Sequence, residues 1–424
     1  MLSRIALYGR MGSHCRLCLS TPNNLMKLPL AALYLLGACC AFAAGPSFDA
    51  QVIFPPQPLH AHSSSIVELP DGRLMTCWYI GSGERTADDV KVQAAYLRPG
   101  AGQWDPPFTL ADTPGFPDTN PVLFVDREKR LWFFWATILD NRWEGALLKL
   151  RISADGGKQQ PIRWDYSDNL LLIPCDFAAK VSPVLQGLST TLATGKDKAE
   201  VDAAIGNASN KLLNRLGWMP RIHPLQLRSG RVLVPLYSDT YNLSLIAITD
   251  DGGLNWRASE PLISLGGVQP SLVVRKDGTI IAYMRDNGPP PQRAMVGESH
   301  DDGVTWSEIV DSDIPNPGSS LEVIALRDGS WCMVLNDTEE GRHRLSVWLS
   351  VDEGKTWPWK RTLENAPPKT GSYSYPSLLQ TRDGLIHVTY SSSSREAPQA
   401  PELQTIKHAK FTSEWVKHGG AAAR

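Results

Sequence analysis

One short signature recurs in the second half of the chain at nearly even spacing, and it restricts the possible folds more than any other feature. A Ser or Thr is followed by Asp, Gly and Trp at fixed offsets, in copies that begin at Thr249, Ser299 and Ser350. A weaker copy at Ser153 lacks the tryptophan. In such a turn the side-chain oxygens accept hydrogen bonds from nearby amides, glycine supplies a positive φ, and tryptophan packs the turn onto a sheet. Copies about 50 residues apart match the length of one four-stranded propeller blade.

A second repeat predicts the same architecture. A turn precedes a strongly apolar strand, rich in aromatic and β-branched residues, at six places. These turns are Asp71-Gly72, Asp126 to Arg130, Ser229-Gly230, Asp277-Gly278, Asp328-Gly329 and Asp383-Gly384. Each is typical of the central hairpin of a blade. The sequence therefore predicts an all-β fold, a six-bladed β-propeller with Asp-box turns.

The interval between the second and third of these turns is about twice the others. Within it, residues 177–216 are rich in Ala, Leu, Lys and Asn, and their apolar residues recur at helical spacing. We expect this segment to form a helical insertion on one face of the ring.

Composition agrees with this fold and excludes some functions. The 424 residues include 34 Gly, 32 Pro and 14 Trp, which suits many short strands joined by turns. The net charge of −2 comes without a basic stripe or a charge run, so neither nucleic acid nor an anionic membrane surface is an expected partner. No zinc or calcium motif is present, and we expect no cofactor.

The N-terminal region predicts export. Residues 26–44 contain one basic residue, an apolar core and a small-residue exit with an A-x-A cleavage site at Ala41 to Ala43. We therefore divide the chain into an N-terminal extension with a signal peptide, 1–44, and one propeller domain, 45–424. The destination is periplasmic or extracellular. A permanent membrane anchor and lipid attachment at Cys39 stay open, although about 16 apolar residues are short for a membrane span.

The Asp-box turns on six blades resemble the sialidase, or neuraminidase, superfamily, over nearly all of residues 45–424. Segments outside the turns extend the similarity to the family's strands, including the opening and closing ones. They are HSSSIVELPDGRLMTCW, QPSLVVRKDGTIIAYMRDN, GRHRLSVWLSVDEGKTW, GSYSYPSLLQTRDGLIHVTYS and IKHAKFTSEW. The resemblance implies a glycoside hydrolase that acts on an acidic sugar and uses a tyrosine nucleophile.

The resemblance also implies roles for particular residues. Arg285 and Arg342 take the positions of the second and third arginines of the family's triad, whose planar forks suit a carboxylate. Tyr375 takes the position of the nucleophilic tyrosine, with Tyr373 as a near alternative. A phenol suits an anionic substrate, because a carboxylate nucleophile would be repelled by the charge of the sugar.

Other positions are ambiguous or depart from the family. The acid/base aspartate falls at Asp88 or Asp89, and the spacing does not decide between them. His62 stands where the first triad arginine is expected, and it would act as a hydrogen-bond donor or a proton shuttle. Gln269 replaces the glutamate that assists the tyrosine, so the base must come from elsewhere, and Glu322 is our hypothesis for it. For every one of these residues a purely structural role is the alternative.

Three functions therefore stay open. The first is an exported, retaining, metal-independent hydrolase of exo-α-sialidase type. The second is a polysaccharide lyase acting on uronates, which needs a Tyr or His base and arginines to neutralise the carboxylate. The third is a non-catalytic carbohydrate-binding propeller, which the joint presence of Arg285, Arg342 and Tyr375 argues against. In each case the partner is an acidic glycan or oligosaccharide, and the sequence does not predict an oligomeric state.

Overall fold

Six antiparallel sheets surround a common axis in the computed structural model, which describes residues 45–395 and 400–418. The predicted six-bladed propeller is therefore confirmed. The predicted extension and signal peptide, 1–44, lie outside the described residues.

We number the blades 1 to 6 in chain order and the strands of each blade outward from the axis. The strands of blades 1 and 2 are His60–Glu68, Leu74–Gly81, Lys91–Leu97 and Phe108–Ala111, then Asp118–Val125, Leu131–Ile138, Ala146–Ser153 and Tyr166–Asn169. Those of blades 3 and 4 are Met219–Pro220 with Leu225–Gln226, Val232–Ser238, Leu243–Thr249 and Arg257–Ala258, then Gly267–Val274, Ile280–Asp286, Arg293–Ser299 and Val310–Pro315. Those of blades 5 and 6 are Glu322–Ala325, Trp331–Leu335, Arg344–Ser350 and Trp359–Asn365, then Gly371–Gln380, Ile386–Ser394, Leu403–Phe411 and Phe48–Val52.

The turns of the second repeat connect the first and second strands of each blade, not the two central strands. The apolar run that follows each turn is therefore the second strand. In blade 2 all eight residues of this strand, Leu131–Ile138, are buried. A second strand has a sheet neighbour on each side and an adjacent blade against each face, so apolar residues are favoured on both faces rather than in alternation.

The Asp-box turns connect strands 3 and 4, at the outer edge of a blade. In blade 3 the hydroxyl of Thr249 donates to Asp251 Oδ1 at 2.9 Å and accepts from the backbone amide of Gly253 at 3.0 Å. Gly253 has φ 96°, and a Cβ there would lie 2.8 Å from the ring of Trp132 in blade 2. The signature therefore closes a hairpin and fits it against the neighbouring blade, as the sequence predicts.

The ring is closed by strands from both ends of the described chain. The outermost strand of blade 6 is Phe48–Val52, which pairs antiparallel with Leu403–Phe411. Phe48 opposes Phe411 in this pairing and stacks on Trp415 of helix α3, Ser413–Lys417, with ring centroids 4.5 Å apart. Pairing of distant segments in one sheet makes the ring a single cooperative unit.

The helical insertion is confirmed, with α1 at Phe177–Ser189 and α2 at Lys196–Asn207. (α3 is the short C-terminal helix, and Trp143–Gly145 is a single 3₁₀ turn.) The apolar side chains of α1 recur at helical spacing and pack on the core between blades 2 and 3. No helix in the described part of the chain is long and apolar enough to cross a membrane.

Candidate active site

Four innermost strands are interrupted by a β-bulge at the same level of the ring. Each bulge places one residue other than glycine in the left-handed region, namely Ser63 at φ 60°, Asn120 at 48°, Gln269 at 56° and Tyr375 at 57°. The left-handed conformation is strained for a residue with a bulky side chain, and such strain is concentrated at functional sites. The bulges give the strands a local kink at one mouth of the ring.

Three of the four bulged residues line one cavity of about 610 Å³ at this mouth, namely Asn120, Gln269 and Tyr375. His62, Arg285 and Arg342 line the same cavity. The structure thus brings together all the residues that the sequence assigns to substrate binding, together with the proposed nucleophile. Tyr373, the alternative nucleophile, is not among the residues that line it.

The hydroxyl of Tyr375 accepts two hydrogen bonds at the floor of the cavity. Arg285 Nη1 donates to its oxygen at 2.9 Å, and Gln269 Nε2 donates at 3.2 Å. The guanidinium of Arg342 lies over its ring, with Cζ 5.4 Å from the centroid. The centroid of the His62 ring lies 4.1 Å from that of the Tyr375 ring. An oxygen with two donors is arranged for its ionised form.

A third arginine, which the sequence did not reveal, lies beneath the same ring. Arg221 is 2% exposed, and its Cζ lies 4.9 Å from the centroid of Tyr375. It follows Met219–Pro220, where the innermost strand of blade 3 breaks and the chain enters the central channel. Its Nη1 donates to the carbonyl of Ser64 at 3.2 Å and its Nη2 to that of Pro376 at 2.9 Å. Arg221 therefore connects blade 3 to blades 1 and 6 beside the bulge of Tyr375.

These cations change the acidity of the phenol. Burial raises the pKa of Tyr375, but the charges of Arg285 and Arg342 and the hydrogen bond from Gln269 outweigh burial, and the pKa falls below the usual value of 10. Burial is also the main reason that the pKa of His62 lies well below 6.5, so this ring is neutral at pH 7. A more acidic phenol beside a neutral imidazole is a plausible nucleophile or base.

The first-blade loop presents a carboxylate to the cavity, but it belongs to Glu84. Burial opposes its ionisation, yet hydrogen bonds with His60 and Tyr79 and the nearby His62 lower the pKa of Glu84 to about 2. Asp88 instead accepts a hydrogen bond from Asn141 Nδ2 at 2.8 Å, and Asp89 accepts from the amide and hydroxyl of Ser82. Neither aspartate lines the cavity.

A second cavity carboxylate belongs to Asp239, which directly follows the second strand of blade 3. Asp239 is exposed to solvent and lines the cavity. Loss of hydration among the groups around it raises the pKa of Asp239 to about 6, although Arg285 and Arg85 act in the opposite direction. The pKa values of Glu84 and Asp239 thus differ, although both residues line one cavity. Such a difference is typical of a site that uses one carboxyl as an acid and keeps another ionised.

Glu322 lies deeper in the channel and does not line the cavity. Its Oε1 is 2.6 Å from Nδ1 of His223, and its Oε2 accepts the backbone amide of Leu378 at 2.7 Å. The hydroxyls of Ser65 and Ser377 accept amides of the next blade in the same way, from Leu123 and Ile66. The geometry corrects our hypothesis that Glu322 assists Tyr375. One of its carboxylate oxygens contacts His223, and the other accepts the amide of Leu378 and so connects blade 5 to blade 6.

The cavity has a basic floor and an acidic rim. Arg285 and Arg342 lie at Tyr375, and acidic groups line the walls, namely Glu84, Glu144, Glu200 and Asp239. Within the described ranges, 45–395 and 400–418, neither arginine forms an ion pair, and no group of three or more His, Cys, Asp or Glu could hold a metal ion. Such a floor suits a planar carboxylate, and such a rim suits hydroxyl donors.

Comparison with known proteins agrees with the class of fold, a six-bladed β-propeller. Residues 72–184 and 209–388 match the family model described as "BNR repeat-like domain", and the chain belongs to this family. It is a divergent member of the sialidase-like superfamily. The matched ranges leave out residues 185–208, which include α2.

Individual relatives are distant. An anhydrosialidase from the leech Macrobdella decora is 30% identical over 207 residues, covering 43% of this chain and 26% of the relative. A sialidase from Vibrio cholerae serotype O1 is 24% identical over 212 residues, covering 41% and 26%. The chain thus spans about a quarter of the length of these relatives. The structure of a leech intramolecular trans-sialidase complexed with 2,7-anhydro-Neu5Ac superposes with a TM-score of 0.62 at 16% identity, covering 85% of this chain and 69% of that one.

Proposed function

We propose that this protein is a glycoside hydrolase of sialidase type that removes an acidic sugar from a glycan. One observation supports this above all others. The phenol of Tyr375 lies at the floor of the cavity, where Arg285 and Gln269 donate to it and the guanidinium groups of Arg221 and Arg342 lie against its ring. The relatives' names point in the same direction.

The proposed reaction uses Tyr375 as nucleophile. A carboxylate of the sugar binds Arg285 and Arg342, which make no ion pair within the described part of the chain. The Tyr375 phenol first loses its proton to solvent, and the phenolate oxygen then forms a bond to the anomeric carbon while the bond from that carbon to the leaving oxygen breaks. Water then attacks the same carbon, the bond to Tyr375 breaks, and the configuration is retained.

An acid must protonate the leaving oxygen, and we assign this role to Asp239 rather than to Asp88 or Asp89. At neutral pH a carboxyl with a pKa of about 6 is protonated in a useful fraction of molecules, whereas Glu84, at about 2, is ionised. Asp239 gives its proton to the leaving oxygen and takes one from the attacking water. Asp88 and Asp89 are held outside the cavity by Asn141 and Ser82.

Two substrates with different leaving groups test the proposed hydrolysis and the assignment of Asp239 as the acid. We expect hydrolysis of the 4-nitrophenyl α-glycoside of N-acetylneuraminic acid and of a sialyl-lactose, or of the corresponding glycosides of another acidic sugar. An Asp239→Asn variant should lose activity mainly on the oligosaccharide, since 4-nitrophenolate leaves without a proton. Asp88→Asn and Asp89→Asn are the matched controls. If Asp89→Asn shows the selective loss and Asp239→Asn does not, the acid assignment is wrong.

A polysaccharide lyase acting on uronates is the second candidate, because a neutral His62 lies beside Tyr375 and, among the described residues, the hydrogen-bond partners of the phenol are Arg285 and Gln269 rather than a carboxylate. Here Tyr375 or His62 would remove the proton next to a carboxylate that the arginines neutralise. Ultraviolet absorbance of an unsaturated uronate, formed from a polyuronate without release of sialic acid, would favour this reaction. If neither sialic acid nor an unsaturated uronate is formed but the protein still binds sugar, a carbohydrate-binding propeller is favoured.

We also propose that the protein is exported through the signal-like segment 26–44. The measurement is N-terminal sequencing or intact mass of the protein recovered from the periplasm or the medium. A mature N-terminus immediately after Ala43 or Ala44 supports export by cleavage, a lipid-modified Cys39 supports a lipoprotein, and an uncleaved chain in the cytoplasm contradicts the proposal.

A further inference from the structure

One face of α2 forms a wall of the cavity. The residues of α2 that line it are Lys196, Glu200, Ala203 and Asn207, which recur at intervals of four, three and four. This spacing places them on a single side of the helix. The family model matches the chain on both sides of this helix but not across it.

A continuous series of hydrogen bonds connects this wall to the floor. Glu200 Oε2 accepts from Asn242 Nδ2 at 3.3 Å, and Asn242 Oδ1 accepts from Asn287 Nδ2 at 2.9 Å. Asn287 Oδ1 then accepts from Arg285 Nη2 at 2.9 Å, while Nη1 of Arg285 donates to Tyr375 at 2.9 Å. Each member uses a different atom for each neighbour, so the orientation of one side chain restricts the next.

The anchor of Arg285 is neutral. Within the described chain its hydrogen-bond partners are the amide of Asn287 and the phenol of Tyr375, and its Nε is buried without a partner. A carboxylate anchor would hold this guanidinium more strongly but would compensate its charge. An amide orients the fork and leaves the charge available for an anionic ligand.

We propose that Asn242 and Asn287 are positioning residues, through which α2 of the helical insertion holds Arg285 in the orientation that binds the carboxylate of the substrate. This inference rests on the proposed function for the nature of the ligand, but the orientation of Arg285 is a property of the ligand-free protein. The helical insertion is then part of the binding machinery and not a spacer between blades 2 and 3.

The variants follow from the geometry. Asn287→Ala removes the contact with Arg285, and Asn242→Gly removes the next contact while tolerating the φ of 50° at this position. Glu200→Ala removes the contact on α2. Asn169→Ala, at the exposed end of the outermost strand of blade 2, is the matched control.

The first measurement uses the full-length protein without ligand. The guanidinium ¹H–¹⁵N signal of Arg285, assigned by its loss in Arg285→Lys, should shift and gain fast motion in Asn287→Ala and, to a smaller extent, in Asn242→Gly. Asn169→Ala should leave it unchanged, and all variants should unfold within about 2 °C of the wild type. An unchanged Arg285 signal in both Asn287→Ala and Asn242→Gly overturns the proposal.

The second measurement uses N-acetylneuraminic acid and galacturonic acid as probes. The Kd of whichever sugar binds should rise about tenfold in Asn287→Ala and about threefold in Asn242→Gly. Adding Glu200→Ala to Asn242→Gly should cause no further loss, because both changes break one series. Additive losses contradict the series. If the wild type binds neither sugar, the Arg285 signal still decides the inference, and the failure belongs to the proposed function alone.

Discussion

The guanidinium carbon of Arg221 lies 4.9 Å from the ring centre of Tyr375, and the same side chain donates a hydrogen bond to the carbonyl of Pro376, which follows Tyr375 in the chain. Arg221 thus contacts the ring of the proposed nucleophile and the backbone of the residue that follows it. A cation against an aromatic face is favourable, and it is more favourable when the ring oxygen is ionised. The pair is thus one of the contacts that favour the ionised form of the Tyr375 phenol.

Replacement of Arg221 by Met should affect both stability and acidity. The carbonyls of Ser64 and Pro376 would lose their partners in a buried channel, and we expect the free energy of unfolding to fall by about 3 kcal/mol. The pKa of Tyr375 should rise, measured from the ¹³Cζ shift of labelled tyrosine. Arg221→Lys keeps the charge and should restore much of the acidity but less of the stability. An unchanged Tyr375 titration in Arg221→Met would contradict the electrostatic role.

Removal of the Tyr375 hydroxyl tests the nucleophile. Tyr375→Phe keeps the ring against Arg221 and His62 but removes the reacting oxygen, so kcat should fall at least about a thousandfold with little change in unfolding temperature. Tyr373→Phe is the matched control, because this ring lies outside the cavity, and its activity should stay within about twofold of the wild type. Full activity in Tyr375→Phe would remove this residue from the mechanism.

A Gln269→Glu substitution restores the residue type that the family resemblance implies at this position. In the wild type Nε2 donates to the Tyr375 oxygen at 3.2 Å. A carboxylate at that distance repels a phenolate and accepts the phenol proton, so the pKa of Tyr375 should rise. Gln269→Met removes the donor without adding charge and should raise the pKa less. Equal titrations in the two variants would show that the charge at this position has no effect.

Two buried histidines should make the protein sensitive to acid. Trp104 Nε1 donates to His408 Nδ1 at 3.3 Å, so Nε2 of His408 carries the proton that it donates to His387 Nδ1 at 2.9 Å. Burial lowers the pKa of His387 to about 4 and that of His408 to about 3, from 6.5. Both folded-state values are depressed, so their contribution to stability is complete above pH 6.5 and is lost as the pH falls toward 3.

The expected loss is up to about 1.4 kcal/mol per histidine for each pH unit between 6.5 and 4. Urea unfolding at several pH values measures it. A His387→Gln, His408→Gln double variant should show a shallower dependence than the wild type over this range. Identical slopes would mean that these histidines do not contribute to acid sensitivity.

The Asp-box turns should matter for stability and not for activity. Asp301 accepts from the hydroxyls of Ser299 and Thr305 at 2.9 and 2.6 Å, and from the amide of Thr305 at 2.9 Å. Asp301→Ala should lower the free energy of unfolding by about 1 kcal/mol, since the amides become solvent-bonded. The kcat/KM should be unchanged. A large loss of activity at full stability would assign these turns a part in the site.

The fold could be predicted because its determinants are local and repeated. The Asp-box signature uses residues that contact each other within one turn, and six copies of one hairpin pattern give the number of blades. The sequence predicted the apolar run as the third strand of each blade, whereas the structure has it as the second. A strand that is buried on both faces shows no alternation of polar and apolar residues, so its sequence does not indicate its distance from the axis. The helices of the insertion followed from its composition and from the helical spacing of its apolar residues.

The site could be predicted only where a family pattern fixes a position. Arg285, Arg342 and Tyr375 lie in or next to strands that match the family pattern, and they line one cavity, whereas Arg221 and Asp239 lie at the ends of blade 3 strands without a local signature. One signal was present in the sequence. A residue followed by proline recurs near the start of innermost strands, at Asn120-Pro121, Gln269-Pro270 and Tyr375-Pro376, and it marks the bulges.

The pairing of Phe48–Val52 with Leu403–Phe411 has a consequence for folding. The ring centroids of His62 in blade 1 and Tyr375 in blade 6 are 4.1 Å apart, so the proposed nucleophile lies at the boundary between the first and last blades. The phenol and its neighbours on blade 1 can meet only when the first and last blades adjoin. Acquisition of the site should therefore coincide with the slowest, least local step of folding, which leaves partly folded chains with an open ring, an unpaired strand edge and no activity.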